Sequence, residues 1–273
     1  MMSTSNRLNQ KFADLKAEGR AGLVTFITAG DPNLETCRDI LSALPSSGAD
    51  IVELGMPFSD PMADGPAIQL ANQRALKNGM TLRKTLNLVS EFRRQDNTTP
   101  IVLMGYYNPI FHMGVQDFVE QAHSAGVDGL IIVDLPVEED DELCHPARTQ
   151  GIDWVRLVTP TTHESRLTKV LTNSSGFLYY VSIAGITGTA SANNEDVAKA
   201  IADIRKQSTL PIAVGFGIKT AAHVKATAEF SDAVVVGSAI IQQIEEGLDQ
   251  QLSSDEITQR VSAFVSSLAQ GLR

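Results

Sequence analysis

Eight short apolar runs, each followed by a longer amphipathic segment, restrict the fold of this sequence more than any other feature. Continuous apolar runs are typical of strands that are buried on both faces of a parallel sheet. The segments between them repeat apolar residues at helical spacing, as Val197, Ile201 and Ile204 do. The predicted strands are residues 23–27, 51–54, 101–104, 130–133, 154–158, 177–181, 212–214 and 233–236.

Eight alternating strand and helix units fit two architectures, a closed barrel or an open, doubly wound sheet. An open sheet usually carries a glycine-rich dinucleotide turn after its first strand, whereas residues 28–32 read Thr-Ala-Gly-Asp-Pro here. We therefore predict an α/β fold in which residues 1–273 form a single (β/α)8 TIM barrel domain.

Three additions to the eight units are predicted. An amphipathic helix at residues 8–15 precedes the first strand and is expected to close the floor of the barrel. Two helices, 67–78 and 81–95, follow the second strand and are separated at Gly79. The eighth strand is also followed by an extra helix at the end of the chain.

A weak internal repeat supports this order of elements. The tripeptide Gly-x-Asp occurs at residues 48–50, 126–128 and 151–153, each time between a predicted helix and a predicted strand. Glycine at this place fits the left-handed residue that ends a helix, and the aspartate is expected to turn the chain into the sheet.

Composition excludes several classes of function. A formal net charge of -10 with no basic stripe argues against nucleic acid and anionic membranes as partners. The two cysteines, Cys37 and Cys144, both fall on predicted helices and suit a reducing compartment. Residues 1–16 lack the apolar core of a signal peptide, and no apolar run approaches the roughly 18 residues of a membrane span. The sequence predicts a cytoplasmic protein.

Metal and Schiff-base chemistry are not indicated. No predicted strand carries a lysine, so a strand-borne amine nucleophile is absent. No two histidines have metal-ligand spacing, and no metal site is predicted. The histidines are His112, His123, His145, His163 and His223.

Glu53 is the most unusual residue of the predicted strands, because it lies between Val52 and Leu54 inside an apolar run. Alternation along the strand places it on the same face as Ile51. Burial raises the pKa of an unpaired carboxyl towards neutrality, which suits proton transfer. A buried glutamate satisfied by neighbouring amides is the alternative interpretation.

The loop after this strand, residues 55–66, contains three prolines and is expected to be pre-shaped. Asp64 precedes Gly65 and Pro66, so its sequence context alone favours a helix cap. Asp60 precedes a proline in the same way and is interpreted as a turn residue.

Three later loops have features of a phosphate site and its cover. Residues 215–218 and 237–240, Gly-Phe-Gly-Ile and Gly-Ser-Ala-Ile, follow the last two strands, where barrels often bind phosphate through backbone amides. Ordinary tight turns are the alternative. The uncharged segment 182–191 is interpreted as a lid, with a disordered loop as the alternative.

Nearly the whole chain, from residue 26 to the final helix, resembles the family of tryptophan synthase α subunits. The most specific matches are residues 53–55, 57–61 and 63–66, and supporting matches are 185–188, 215–218 and 237–240. The resemblance implies retro-aldol cleavage of indole-3-glycerol phosphate into indole and glyceraldehyde 3-phosphate.

The resemblance also assigns roles to residues. Glu53 is expected to be the general acid/base that protonates indole C3 and helps to remove the glycerol hydroxyl proton. Asp64 is expected to accept a hydrogen bond from the indole N–H and to stabilise the cationic indolenine. Tyr179 and Thr187 are expected to assist, Thr187 by closing the lid onto Asp64. The expected phosphate-binding residues are Gly188, Gly217, Gly237 and Ser238. The expected indole pocket consists of Phe26, Leu103, Ile131, Val133, Phe216 and Val235.

For partners, the resemblance implies a β subunit that carries pyridoxal phosphate, in an α2β2 tetramer, and no cofactor on this chain. Phe58 is expected to be exposed for docking, with packing against the lid as the alternative. The expected interface residues are Pro57, Phe58, Asp60, Asn108 and Pro109.

Two other functions remain open at this level. Another phosphosugar barrel enzyme, an isomerase or epimerase, would act on a pentose phosphate and would not need an indole-sized pocket. A non-catalytic regulatory barrel would not need Glu53 and Asp64.

Overall fold

The structure is a computed structural model that describes residues 7–162, 164–181, 194–215 and 217–273. Its strands are β1 (Gly22–Thr28), β2 (Ile51–Gly55), β3 (Ile101–Gly105), β4 (Gly129–Ile132), β5 (Asp153–Trp154), β6 (Arg156–Val158), β7 (Leu178–Val181), β8 (Ile212–Gly215) and β9 (Ala233–Val236). Its helices are α1 (Arg7–Glu18), α2 (Leu34–Ala43), α3 (Pro66–Lys77), α4 (Leu82–Arg93), α5 (Tyr107–Met113), α6 (Val115–Ala125), α7 (Asp141–Thr149), α8 (Glu164–Thr172), α9 (Asn194–Arg205), α10 (Ala221–Ala228), α11 (Ser238–Asp249) and α12 (Ser254–Ala269), followed by a 3-10 turn at Gln270–Leu272.

The strands form one parallel sheet in the order β5-β4-β3-β2-β1-β9-β8-β7-β6. The two ends of this order, β5 and β6, are halves of the single strand predicted at 154–158 and are separated by Val155. Because the ends of the sheet are consecutive in the chain, the sheet closes on itself, and the predicted (β/α)8 barrel is confirmed.

A buried polar cluster lies where the fifth strand is interrupted. Asp140 forms an ion pair with Arg156 and accepts a hydrogen bond from Nε1 of Trp154 at 3.0 Å. Arg156 also donates to the carbonyl of Leu135 at 3.2 Å. The cluster ties both halves of the strand to the segment that precedes α7.

Side chains alternate between the inside of the barrel and the layer of helices. The interior cluster takes buried apolar residues from β1 to β4, β8 and β9, together with Val155 and Phe177 next to β5, β6 and β7. Three residues of α1 join it, so this helix closes the floor as predicted. Its buried members are Leu8, Phe12, Leu15, Val24, Ile51, Val102, Ile131, Val155, Phe177, Ala213, Ala233 and Val235.

The additional helices agree with the sequence, with one exception. Two helices follow β2, separated around Gly79, and two follow β9, as predicted. The exception is α5, a seven-residue helix after β3 that the sequence did not predict. Seven residues are two turns, too few for an apolar period to identify a helix. Within the described ranges, no helix is both long and apolar enough to span a bilayer.

The Gly-x-Asp repeat lies at the floor, where two of its aspartates accept hydrogen bonds from backbone N–H groups at the start of the preceding strand. Asp50 accepts from the N–H of Leu23 at 2.9 Å, and Asp128 accepts from the N–H of Ile101 at 2.7 Å. Asp232, which lacks the glycine, does the same to Ile212 at 2.8 Å. Each of these carboxylates also forms an ion pair with an arginine. The floor is therefore stabilised by ion pairs as well as by the packing of α1.

Candidate active site

Glu53 lies inside the barrel, in the middle of β2, where all five residues are buried. Its side chain is 1% exposed, and its Oε1 has no hydrogen-bond partner among the described residues. Burial, together with the nearby charge of Asp64, raises the pKa of Glu53 to about 8. The alternative of a glutamate satisfied by amides is therefore not supported for this oxygen.

Asp64 lies at the top of the barrel, in the loop between β2 and α3. The residue that caps α3 is Gly65, and no side chain makes a cap hydrogen bond there, so Asp64 is not the helix cap that its sequence context suggested. Its Oδ2 accepts a hydrogen bond from Nδ2 of Asn72 at 3.1 Å. Burial raises the pKa of Asp64 to about 6, although the hydrogen bonds from Asn72 and Tyr106 lower it.

The two carboxyl groups therefore have different proton affinities at one site. Near pH 7, Glu53 is mainly protonated and Asp64 is mainly ionised, since their pKa values are about 8 and about 6. A neutral acid beside a carboxylate is the arrangement with which enzymes separate the role of proton donor from that of charge stabiliser.

Asn72 and Tyr106 were not recognised in the sequence, yet both contact the Asp64 loop. The Tyr106 hydroxyl accepts from the backbone N–H of Ala63 at 3.0 Å. Asn72 is 4% exposed although it is polar, and it lies in α3 close to the buried Ala71 and Ala75. A polar residue on the apolar face of a helix was the available signal for Asn72, and a position just after a strand was the signal for Tyr106.

Tyr179 projects from β7 into the same interior as Glu53. Burial and the nearby charge of Glu53 raise the pKa of this phenol well above its usual range. A Cβ atom at Gly215 on the neighbouring β8 would overlap the Tyr179 hydroxyl. Glycine at 215 therefore makes room for this side chain, and the phenol remains neutral beside Glu53.

The two glycine-rich loops lie next to each other, because β8 and β9 are paired. Gly217 is exposed with a φ of +71°, a conformation that favours glycine. Gly237 is the N-cap of α11, which begins at Ser238 without a side-chain cap bond. The first N–H groups of a helix are donors for anions, so this end of α11 is suited to a phosphate.

Four of the six expected pocket residues lie on the inner side of the sheet or at its upper end. Ile131 and Val235 belong to the interior cluster, and Val133 packs against it. Phe26 and Val133 also line a cleft that contains Asp64, Asn72 and Tyr106.

The expectation for Leu103 is wrong, because its side chain packs in the outer layer with the helices. The neighbours of Leu103 in β3, Val102 and Met104, are the residues that contact the interior cluster. The parallel register pairs Leu103 with the outward-facing Leu54, and Val102 with Glu53.

The loop after β2 and the start of α5 present the expected interface residues at the open end. Asp60 and Asn108 are exposed, and Pro57 and Pro109 are half-buried. Phe58 is also half-buried, with its ring centroid 5.3 Å from that of Tyr106, so the expectation of an exposed Phe58 is wrong.

Thr187, Gly188 and Phe216 lie outside the described residues, as do the predicted lid at 182–191 and His163. In the part of the chain that the structure describes, no three His, Cys, Asp or Glu residues are grouped to hold a metal ion. His112, His123 and His145 lie on three different helices, and His223 on a fourth.

Comparison with known proteins identifies the family. The family model for the tryptophan synthase alpha chain matches residues 12–273. A tryptophan synthase subunit alpha from Legionella pneumophila str. Paris is 40% identical, with 98% of each chain covered and a TM-score of 0.91. A tryptophan synthase alpha chain from Legionella pneumophila subsp. pneumophila is 39% identical, with 98% of this chain and 97% of that chain covered and a TM-score of 0.89.

A more distant structure gives the same result. The tryptophan synthase of M. tuberculosis, in its aminoacrylate- and BRD0059-bound form, is 30% identical, with 98% of each chain covered and a TM-score of 0.86. The chain therefore belongs to the tryptophan synthase alpha-chain family, whose members are lyases that cleave indole-3-glycerol phosphate and work with a beta subunit.

Proposed function

We propose that Glu53 and Asp64 carry out the cleavage of indole-3-glycerol phosphate in this barrel. The observation that supports this most strongly is the pair of carboxyl groups from β2 and its loop, one with its pKa raised to about 8 and the other to about 6. A retro-aldol reaction on an indole needs a proton donor and, beside it, an anion that stabilises a cationic ring.

Each proton has an assigned place in this reaction. Glu53 donates its proton to indole C3, and the indolenine cation that forms is stabilised by Asp64 through the ring N–H. The Glu53 carboxylate then accepts the proton of the glycerol hydroxyl adjacent to the ring. The C–C bond breaks as the aldehyde forms, its electrons return to the ring, and Glu53 is again protonated. The buried Tyr179 hydroxyl and Thr187 assist these transfers.

The phosphate of the substrate is proposed to bind at the end of the barrel formed by β8 and β9. The N-terminus of α11 at Gly237 and Ser238 supplies backbone N–H groups, and Gly217 lies on the neighbouring loop. Together with Gly188, these residues hold the phosphate above the barrel. This chain has no basic side chain in any described strand except Arg156, whose charge is paired with Asp140, so amides carry most of the phosphate binding.

The indole ring is proposed to lie between the apolar residues of the upper interior. Phe26 and Val133 line the cleft beside Asp64, and Ile131 and Val235 lie one layer deeper. Phe216 completes this set, and Val102 and Met104 take the place first expected for Leu103.

We further propose that the chain works without a cofactor of its own, in the cytoplasm, and passes indole to a β subunit that carries pyridoxal phosphate, in an α2β2 complex. The described strands carry no lysine that could hold pyridoxal phosphate inside this barrel. Two large apolar side chains are exposed at the open end, Met62 at 79% and Phe111 at 64%. They lie beside the expected interface at Asp60 and Asn108, where a channel for indole would open.

The direct test is to incubate the purified full chain with indole-3-glycerol phosphate and to quantify indole and glyceraldehyde 3-phosphate. Equal amounts of both products are expected. A pentose phosphate supplied in parallel should not react. Isomerisation or epimerisation of the pentose phosphate without indole release would identify a phosphosugar isomerase, and no turnover with or without a β subunit would identify a regulatory barrel.

A further inference from the structure

Two side chains from different elements converge on the Asp64 loop. Asn72 of α3 donates from Nδ2 to Asp64 Oδ2 at 3.1 Å. The Tyr106 hydroxyl, just after β3, accepts from the N–H of Ala63 at 3.0 Å and lies close enough to Asp64 to help lower the pKa of its carboxyl. Asn72 and Tyr106 are only 4% and 2% exposed, so water does not compete with them for the Asp64 loop.

The helix that carries Asn72 is itself fixed to the barrel. Arg74, two residues further along α3, donates from Nε and one terminal nitrogen to the two oxygens of Asp31 at 2.6 and 2.9 Å. The Asp31 side chain is fully buried at the end of β1. Because a two-pronged ion pair fixes both distance and angle, Asn72 is held in one position relative to the barrel.

Few charged groups face Asp64 among the described residues. Glu53 faces it from β2, and Tyr106 faces it from the end of β3, with Asp134 beyond that phenol. From α3 it meets the neutral Asn72, and β1 contributes the apolar Phe26. No described arginine or lysine pairs with the Asp64 carboxylate, so these two neutral donors are what compensates its burial.

We propose that Asn72 and Tyr106 are positioning residues that keep the Asp64 carboxylate charged and oriented towards the substrate ring during cleavage. This inference rests on the proposed function, since it concerns the carboxylate that stabilises the indolenine cation. Hydrogen bonds to the charged form of an acid lower its pKa. They act here against the burial that raises the pKa of Asp64 to about 6.

The test compares kcat/KM as a function of pH for the full chain with indole-3-glycerol phosphate. In Asn72→Leu, which is nearly isosteric, the midpoint of the acidic limb should move up by about one pH unit. Tyr106→Phe should move it in the same direction. Activity lost at pH 6 should therefore be partly recovered at pH 7.5, which a merely structural defect would not produce.

Gln69→Leu is the matched control. Gln69 is in the same helix and donates to the backbone carbonyl of Asp64 at 2.7 Å, without touching the carboxylate. Its acidic limb should stay where it is in the wild type. An unmoved limb in both Asn72→Leu and Tyr106→Phe, or an equal shift in Gln69→Leu, would overturn the proposal.

A second readout separates this inference from the proposed function. The carboxyl carbons of the aspartates are labelled with ¹³C, and the Asp64 signal, assigned with Asp64→Asn, is titrated by NMR. The pKa of Asp64 should rise by about one unit in Asn72→Leu. If the wild type releases no indole, the proposed function fails, while this titration still decides whether Asn72 holds the carboxylate in its charged form.

Discussion

At the scale of single residues, the burial of Glu53 has two effects: it suits the carboxyl to proton transfer, and it lowers the stability of the fold. A fully buried carboxyl without a partner for Oε1 favours the protonated form, and this raises its pKa to about 8. The same burial makes the folded chain bind a proton that the unfolded chain releases above about pH 4.5. The residue that we propose as the proton donor therefore weakens the fold at neutral pH.

Replacing Glu53 by glutamine should stabilise the fold in a pH-dependent way. The pKa of Glu53 is about 8 in the folded state against 4.5 for an ordinary glutamate, so below pH 4.5 both states are protonated and there is no penalty. As pH rises from 4.5 to about 8, the wild type loses stability, and above 8 the loss is complete. Glu53→Gln should therefore gain up to a few kcal/mol over the wild type at pH 8.5 and much less at pH 5.

This gain is measured by urea unfolding of both proteins at the two pH values. The mutant's advantage should be larger at pH 8.5 than at pH 5. Equal advantages at both values would mean that Glu53 titrates normally and is not buried as described.

Asp64→Asn should separate a chemical role from a structural one. Asparagine keeps the size of the side chain, and Gly65, not Asp64, is the N-cap of α3, so stability should change by less than about 1 kcal/mol. Indole release should fall by roughly 10²–10³-fold, because the charge opposite the indolenine is lost. Turnover and thermal unfolding are measured on one sample. Unchanged turnover would show that Asp64 does not act on the substrate.

The residues differ in how far the sequence could predict them. Glu53 could be predicted from its neighbours, because a carboxylate inside an apolar run is unusual in itself. Asp64 needed the family resemblance, since Gly65 and Pro66 after it favour a cap. The role of Asn72 could not be predicted, because its hydrogen bond to Asp64 joins α3 to the loop after β2, and only the fold brings these two residues together.

At the scale of elements, the floor of the barrel is held by aspartates that join neighbouring strands. Asp128 is 5% exposed and accepts from the N–H of Ile101, from Arg93 at 2.6 Å and from Arg7 at 2.8 Å. Since the Arg93 side chain is only 8% exposed, removing its counter-charge leaves a buried cation unpaired.

Asp128→Asn should therefore destabilise the fold by roughly 3–5 kcal/mol. Asp232→Asn is the matched control, because Asp232 makes the same bond to a strand N–H but pairs with Arg205, which is 43% exposed. Its loss should be about 1 kcal/mol. Denaturant unfolding measures both, and equal losses would contradict the account of the floor.

Strands were predicted where the pattern of neighbouring residues identifies them. Features that depend on contacts between distant parts of the chain were missed. Buried parallel strands give continuous apolar runs, and all eight predicted runs contain described strands. The fifth strand divides at Val155 because residues 153–154 pair with β4 and residues 156–158 pair with β7, and the apolar run does not show this change of partner. The error at Leu103 has the same origin, because the run of apolar residues does not show which face of β3 is inside.

At the scale of the whole molecule, the barrel separates the ion pairs of the floor from the chemistry of the open end. Glu53, Asp64 and the N-terminus of α11 all lie in the interior or at the ends of parallel strands, as in other barrel enzymes. We therefore expect a partner that receives indole to dock at that end. We expect addition of a β subunit to raise the rate of indole release and to co-elute with this chain on a sizing column.

The docking face is tested by making the same change, asparagine to lysine, at the open end of the barrel and at its floor. Asn108→Lys adds a charge in the first turn of α5 and should weaken co-elution, while the isolated chain keeps its basal rate. Asn173→Lys makes the same change in the turn between α8 and β7, at the floor, and should not affect co-elution. Equal weakening by both, or by neither, would place the interface elsewhere.

The most direct measurement is the rate of indole release by Glu53→Gln compared with the wild type. Glutamine is nearly isosteric and cannot donate or accept the proton that cleavage requires, so kcat should fall roughly 10²–10⁴-fold or more. Affinity for glycerol phosphate, measured by titration, should stay unchanged, because the proposed phosphate site at Gly237 is at the other end of the substrate. If Glu53→Gln releases indole at the wild-type rate, Glu53 is not the acid/base, and the mechanism proposed for this barrel is wrong.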